Sequence, residues 1–281
     1  MTFRLLFFIF ILLPYTVIFL PVQILIILLR LPGWNVLPRG FHKLCARFLG
    51  LKITIVGKPY TDKPNLIVSN HISWMDIPAI GASLPMAFVA KSDIAKWPIV
   101  GFMAGLQKTI FVNRKRRTDS ARTSREMGQR LARGEAVVLF AEGTSDIGTH
   151  VLPFRSALVG ATQEAMAFSG TEEMVIQPMT IAYTRLDGMP LGRTERSLIA
   201  WVGDMGVMDN LFDILNSGTK AVTIAFGEPI IVTPQTNRKA VTRLAEIKVR
   251  EMLVALNRHR PLPPAHGDPV EAIEPPQKAA E

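Results

Sequence analysis

His71 and Asp76 stand five positions apart in Ser69-Asn70-His71-Ile72-Ser73-Trp74-Met75-Asp76, directly after the apolar run Leu66-Ile67-Val68. An imidazole and a carboxylate make an acid–base pair. The carboxylate holds one ring nitrogen and supports the charge that develops there, while the other nitrogen takes a proton from a hydroxyl. Residues five apart do not share a face of a regular helix, so such a dyad requires a turn between them. The same stretch also fits a plainer arrangement, in which Ser73 and Asp76 form a capping box and His71 is an ordinary loop residue. Three more apolar runs end in polar sequence. Thr109 to Val112 leads into Asn113-Arg114 and the basic Lys115 to Arg117, Ala136 to Phe140 into Ala141-Glu142-Gly143-Thr144-Ser145-Asp146, and Met174 to Ile176 into Gln177-Pro178. An arginine suits two-pronged contact with an anion, and a glycine lets a ligand approach the backbone closely. Against that, Arg114 to Arg117 could be a solvated or headgroup-facing run and Glu142-Gly143 a simple turn.

These runs need a scaffold, and the chain alternates strand and helix patterns throughout. Strands are expected at 52–56, 66–68, 86–90, 109–112, 136–140, 174–176, 198–202 and 222–226. Helices are expected near 74–82, from Asp119 to Arg133 with Gly134 closing it, at 155–168 and at 238–257, with a loop or broken helix between Trp97 and Gly105. This alternation argues for an α/β fold with a mixed, largely parallel sheet surrounded by helices. Loops at the ends of its strands are where such a fold presents chemistry. Trp74, Trp97 and the methionines near 101–105 could line an apolar tunnel for an acyl chain or fill the core, and they are read as core.

The 281 residues carry a net charge of +9 and one cysteine, Cys45, which excludes an intramolecular disulfide and makes a thiolate metal cage implausible. From Leu5 to Leu29 no residue is charged, and Pro14 and Pro21 interrupt the run. That length can cross a hydrocarbon core of roughly 30 Å, or lie in one leaflet as a broken helix pair. The stretch is too long for a cleaved signal peptide, and no small-residue cleavage site follows it. Arg30, Arg39, Lys43, Arg47 and Lys52 follow the run and only Arg4 precedes it, which puts the bulk of the chain on the cytoplasmic side. The expected organisation is a membrane anchor with a basic amphipathic linker over 1–50, a catalytic domain over 51–260, and a disordered Pro- and Ala-rich tail over 261–281. No GxSxG elbow is present, so a lipid hydrolase would have to use Ser145 or Ser156. A non-catalytic basic binder rests on charge alone, and no nucleic-acid partner is expected.

Taken together, the four strand-end segments resemble the glycerolipid acyltransferase family, in particular its lysophosphatidic acid acyltransferase type. The resemblance covers roughly 50–230. It lies in His71 to Asp76 (HxxxxD), in Phe111-Val112-Asn113-Arg114, in Phe140-Ala141-Glu142-Gly143-Thr144-Ser145, and in Val175-Ile176-Gln177-Pro178. It implies that His71 is the general base and that Asp76 orients it. The acceptor hydroxyl then attacks the thioester of acyl-CoA or acyl carrier protein directly, with no acyl-enzyme, metal or cofactor. Arg114, Glu142, Gly143 and Thr144 are implied to hold the acceptor's head, with Arg155 where the family often has a basic residue. A membrane-bound bacterial enzyme of phospholipid synthesis is implied, with lysophosphatidic acid the first acceptor expected. The chain departs from the pattern at Lys108 (usually glycine), Ala141 (usually proline) and Ser145 (usually arginine). Glu142 to Asp146 with Val151 to Ser156, and Ala200-Trp201-Val202-Gly203-Asp204-Met205, also resemble a bacterial subgroup that includes lyso-ornithine lipid acyltransferases.

Overall fold

A computed structural model describes residues 2–113, 117–156, 160–203, 205, 207–262 and 270–271. The apolar N-terminal run is one helical rod rather than a broken pair. Helix α1 (Thr2–Phe7) passes through a π-helical turn (Phe8–Leu12) into α2 (Leu13–Leu28). Phe3–Leu28 is long and apolar enough to cross a membrane. Its shielded positions form one broad stripe that runs through Arg4, Phe7, Leu12, Tyr15, Phe19, Gln23 and Ile27 and takes in the adjacent Pro14, Thr16, Leu20, Ile24 and Ile26. The spacing along the first series is three or four except between Phe7 and Leu12, where the π turn inserts one extra residue and keeps the stripe on one side. Contacts follow the stripe along its whole length. Arg4 donates to Leu215 O and Gly218 O, the Phe8 and Phe48 rings lie 5.7 Å apart, Tyr15 OH donates to Leu37 O, and Gln23 Nε2 donates to Trp34 O and Leu106 O.

Among the described residues the sheet comprises β1 (Leu51–Val56), β2 (Asn65–Ser69), β3 (Ala87–Lys91), β4 (Ile110–Val112), β5 (Val137–Phe140), β6 (Met174–Leu186), β7 (Met189–Pro190), β8 (Lys220–Phe226), β9 (Ile230–Val232) and β10 (Val270–Glu271). The order is β1-β8-β6-β2-β5-β3-β4, with β7 and β9 beside β6, and β10 beyond β9. Pairing is parallel except where β6 meets β7, β8 and β9. Every residue of β2 and of β5 is buried, which is why these segments read as unbroken apolar runs instead of alternating ones. Ser69 pairs with Phe140, so the residues that follow β2 and β5 leave the sheet side by side.

The helices are α3 (Val36–Phe48), α4 (Asp76–Ser83), α5 (Pro98–Leu106), α6 (Arg117–Ala132), α7 (Ala161–Ser169), α8 (Arg193–Ile199), α9 (Val207–Asn216) and α10 (Arg238–Asn257), with a 3-10 turn over Ser92–Lys96. One core joins Leu66, Val68, Val137 and Leu139 to Met127, Ala165 and Val249 from α6, α7 and α10. On the other side of the sheet, Ile67, Val138, Phe140 and Tyr183 pack against Ala46, Ala79 and Ile80 from α3 and α4.

Three expectations change. The segment expected as a strand over 198–202 is the end of α8 and an irregular connection, held because Trp201 N–H donates to Ile72 O (3.0 Å). The stretch from Trp97 to Gly105 is regular helix, and Gly101 lets it close on the preceding turn, where a Cβ would meet Ala95 O at 2.4 Å. Gln177-Pro178 does not end a strand, since β6 continues to Leu186. A proline inside a central strand removes a ladder donor. Pro178 sits where the neighbour of β6 changes from β9 to β8, and its carbonyl accepts from Gly227 N there (2.8 Å), so its nitrogen faces the break. Gln177 fills that break. Its Oε1 accepts from Tyr60 N and Asn65 Nδ2, and its Nε2 donates to Lys58 O and Gly227 O. Of the expected tail, Val270 and Glu271 pair with Ile230 and Ile231, and 263–269 and 272–281 lie outside the described residues.

Candidate active site

The turn between His71 and Asp76 is built by the carboxylate that closes it. Asp76 opens α4 and is fully buried. Its Oδ2 accepts from His71 Nδ1 (2.8 Å), Ile72 N (2.7 Å) and Ser73 N (3.1 Å), and its Oδ1 accepts from Tyr183 OH (2.8 Å). The cap and the dyad are therefore the same group in two roles. An ionised carboxylate only accepts, so Nδ1 carries the ring proton and Nε2 keeps its lone pair. The imidazole lies flat on Phe140 (centroids 4.0 Å, 18°), which stacks in turn on Phe88 (6.4 Å, 12°). A base held at one nitrogen and on one face has a single orientation.

Asn70 extends β2 with its side chain. Its Nδ2 donates to Ile181 O (2.9 Å) and its Oδ1 accepts from Ile181 N (3.0 Å), which fixes the chain just before His71. Glu142 is buried, and both of its oxygens are engaged by backbone: Oε2 accepts from His71 N (2.7 Å) and Oε1 from Leu152 N (2.8 Å). Burial pushes its carboxyl up to about 8, while these two amides pull in the opposite direction. Glu142 thus braces the His71 loop against the 151–155 segment.

Gly143 adopts φ +76, and a Cβ there would meet Arg155 Nε at 2.6 Å; that nitrogen donates to Glu142 O (3.3 Å). Thr144 and Arg155 are exposed. Arg114 lies outside the described residues, as do Lys115 and Arg116. Ser145, which stands where the family pattern has arginine, donates its hydroxyl to Trp201 O. Asp146 N donates to His71 O (3.0 Å), and Gly148 packs on Ile72, with Gly148 O accepting from Arg196 and Asn257.

The sequence reading missed Tyr183 and the contact of Trp201 with the 72 and 145 positions, and it took the lining of a cavity for core. Tyr183 is buried on β6, and burial with the adjacent Asp76 charge holds its hydroxyl well above the usual tyrosine range, so it stays a donor. Its only sequence signal was parity. It shares the inward face of β6 with Ile181, two residues before it. An apolar cavity of about 490 Å³ lies behind the stacked rings, lined among others by Phe19, Phe41, Trp74, Phe88, Trp97 and Met103. Trp74, Trp97 and Met103, expected as core, line this space, which is enclosed between the N-terminal rod, α3, α4 and α5. Trp74 is held by Asn210 (Nε1–H to Oδ1, 2.9 Å), and Trp97 meets Trp201 edge-on at 6.4 Å.

Among the described residues, no serine or cysteine side chain hydrogen-bonds to His71. A held imidazole with no hydroxyl or thiol partner among the described residues, near an apolar cavity, suits transfer to a hydroxyl that the substrate itself brings. Comparison with known proteins agrees. The family described as Acyltransferase matches residues 52–182. A lyso-ornithine lipid O-acyltransferase of Brucella abortus (strain 2308) is 44% identical over 88% of this chain and 92% of its own. A 1-acyl-sn-glycerol-3-phosphate acyltransferase of Neisseria gonorrhoeae is 37% identical over 47% of this chain and 51% of its own. The crystal structure of the 1-acyl-sn-glycerophosphate acyltransferase PlsC from Thermotoga maritima shares the fold (TM-score 0.56, 22% identity, 79% of each chain). The chain belongs to the acyltransferase family and is an enzyme that acylates lysolipids.

Proposed function

We propose that this enzyme transfers a fatty acyl group to the free hydroxyl of a lyso-ornithine lipid, with His71 as general base. The motifs alone put lysophosphatidic acid first, and the fate of Ser145 carries the reversal. With its hydroxyl spent on Trp201 O, this position offers no guanidinium to a phosphate monoester. The near full-length likeness to a lyso-ornithine lipid O-acyltransferase supports the same order. In the proposed step the acceptor hydroxyl gives its proton to His71 Nε2, and its oxygen attacks the thioester carbonyl of acyl-CoA or acyl carrier protein. The thiolate leaves and recovers the proton, with no acyl-enzyme between. Asp76 balances the imidazolium, Glu142 and Asn70 position the base, and Arg155 with Gly143, Thr144 and Arg114 meets the acceptor's head. An acyl chain occupies the cavity behind Phe140.

The stripe along the N-terminal rod supports a helix lying in one leaflet against the catalytic domain, not one standing across the bilayer. The basic residues after it then serve as headgroup contacts. Soluble thioester donors would place this face on the cytoplasmic side of the inner membrane. The test is thiol release from a long-chain acyl-CoA by detergent-purified enzyme and by its His71→Ala variant, with lyso-ornithine lipid and lysophosphatidic acid offered separately. Release that depends on lyso-ornithine lipid and vanishes with His71 is expected. Preference for lysophosphatidic acid would overturn the acceptor, and an active His71→Ala variant would overturn the mechanism.

A further inference from the structure

Helix α5, Pro-Ile-Val-Gly-Phe-Met-Ala-Gly-Leu, contains no charged residue, yet most of it faces outward. Ile99 is 77% exposed, Phe102 50% and Val100 47%. A surface helix of a soluble domain pairs an apolar stripe with a polar face. Here the outward face is apolar, and Gly101, the position turned inward, is the one that is buried. Exposed apolar patches of this kind mark contact with a partner or a membrane.

We infer that α5 is a second membrane-inserting element, entering the acyl region of the leaflet that holds the N-terminal rod and forming the lipid-side wall of the cavity. This rests on reading the rod as the anchor. Three observations favour lipid as the occupant. The two surfaces are continuous, because Gln23 of the rod donates to Leu106 O, the last carbonyl of α5 (2.8 Å). They flank the same cavity: Phe19 and Leu20 line it from the rod, Ile99, Val100 and Met103 from α5. Lys96 precedes α5 and Arg30 follows the rod, both exposed, so each element has a cation at headgroup level. Lipid entering between α5 and the rod would reach the cavity without crossing water.

The test places single cysteines at Ile99, Phe102, Phe10 on the rod's outward face, and Glu172 on the turn before β6, in the full chain reconstituted into phosphatidylcholine–phosphatidylglycerol vesicles. Burial pushes the native Cys45 thiol up to about 12, which disfavours its thiolate at neutral pH, and unsubstituted protein, which carries Cys45 alone, gives the labelling background to be subtracted. Each site is labelled with an environment-sensitive fluorophore, then challenged with lipids carrying a nitroxide on the acyl chain. Blue-shifted emission at 99, 102 and 10, quenched severalfold by the nitroxide lipid and unlike that at 172, is the expected result. Quenching at 10 but not at 99 or 102 overturns the role of α5 while leaving the anchor in place. No quenching at any site overturns the anchor reading and α5 with it. Blue-shifted but unquenched emission at 99 and 102 overturns the inference in favour of a protein contact, such as a second copy of the chain.

Discussion

Replacing Asp76 by asparagine separates the carboxylate's charge from its shape. Oδ2 receives three donors and Oδ1 receives the Tyr183 hydroxyl. An amide nitrogen cannot accept, so only one orientation works, with the amide oxygen at the Oδ2 position and the nitrogen facing Tyr183, whose hydroxyl rotates to accept. The loop then survives and the charge does not. With the His71 Nδ1 to Oδ2 distance at 2.8 Å, the two charge centres lie about 4 Å apart. At an effective dielectric of about 20 the lost support for the imidazolium is about 4 kcal/mol, on the order of a thousandfold in rate. Asp76→Asn should therefore lose about that factor in kcat for acceptor-dependent thiol release, with KM and the urea midpoint little changed. Asp76→Ala should lose stability as well, since it strands the Ile72 and Ser73 amides and the Tyr183 hydroxyl in the core at roughly 1–3 kcal/mol each. An asparagine variant within about tenfold of wild-type kcat would refute the electrostatic role. An alanine variant as stable as the asparagine one would refute the cap.

Two further outcomes follow from other corners of the site and fold. Ser145→Arg should raise kcat/KM for lysophosphatidic acid relative to lyso-ornithine lipid, because a guanidinium would replace the hydroxyl now spent on Trp201 O; an unchanged ratio in competition assays would remove this position from acceptor choice. Lys220 is buried, with its ammonium donating to the carbonyls of Leu49, Ile214 and Gly218, and burial beside Arg4 pushes it down to about 8 from 10.5. The unfolded chain then binds this proton more tightly than the folded one, so resistance to urea should climb as pH rises from about 8 towards 10.5. The climb should flatten in Lys220→Met, and identical pH profiles for the two proteins would contradict it.

Much of the scaffold is legible because local signals agree with it. The unbroken runs at 66–68 and 137–140 mark strands covered on both faces, and α10 spans the 238–257 expected from its periodicity. The strand expected at 198–202 fails because Ala200-Trp201-Val202 is apolar for a different reason. Trp201 is anchored by its backbone to the His71 loop and presents its ring to Trp97. Tyr183 and Asp76 are over a hundred residues apart, and only the register of β6 against its neighbours brings them together, which no local pattern encodes. The cavity is a property of how the rod, α3, α4 and α5 pack on one another, and periodicity does not distinguish a lining residue from a filling one.

The motif residues turn out to face the backbone more than the cleft. Asp76, Glu142 and Asn70 direct side-chain polar atoms at main-chain groups and together hold the His71 loop to β6 and to the 151–155 segment, while Gln177 does the same at the opposite end of β2, where Asn65 begins it. A base that acts on a substrate's own hydroxyl needs little besides position, so most of the motif's polarity is spent on position. On the proposed reading, acceptor recognition falls to the exposed Thr144 and Arg155 and to position 145, where this chain departs from the family pattern. It follows that substitutions at Glu142 should depress turnover with every acceptor alike, while those at 145 and 155 should change the ranking of acceptors. A change of ranking on Glu142→Gln would place that carboxyl against the acceptor after all.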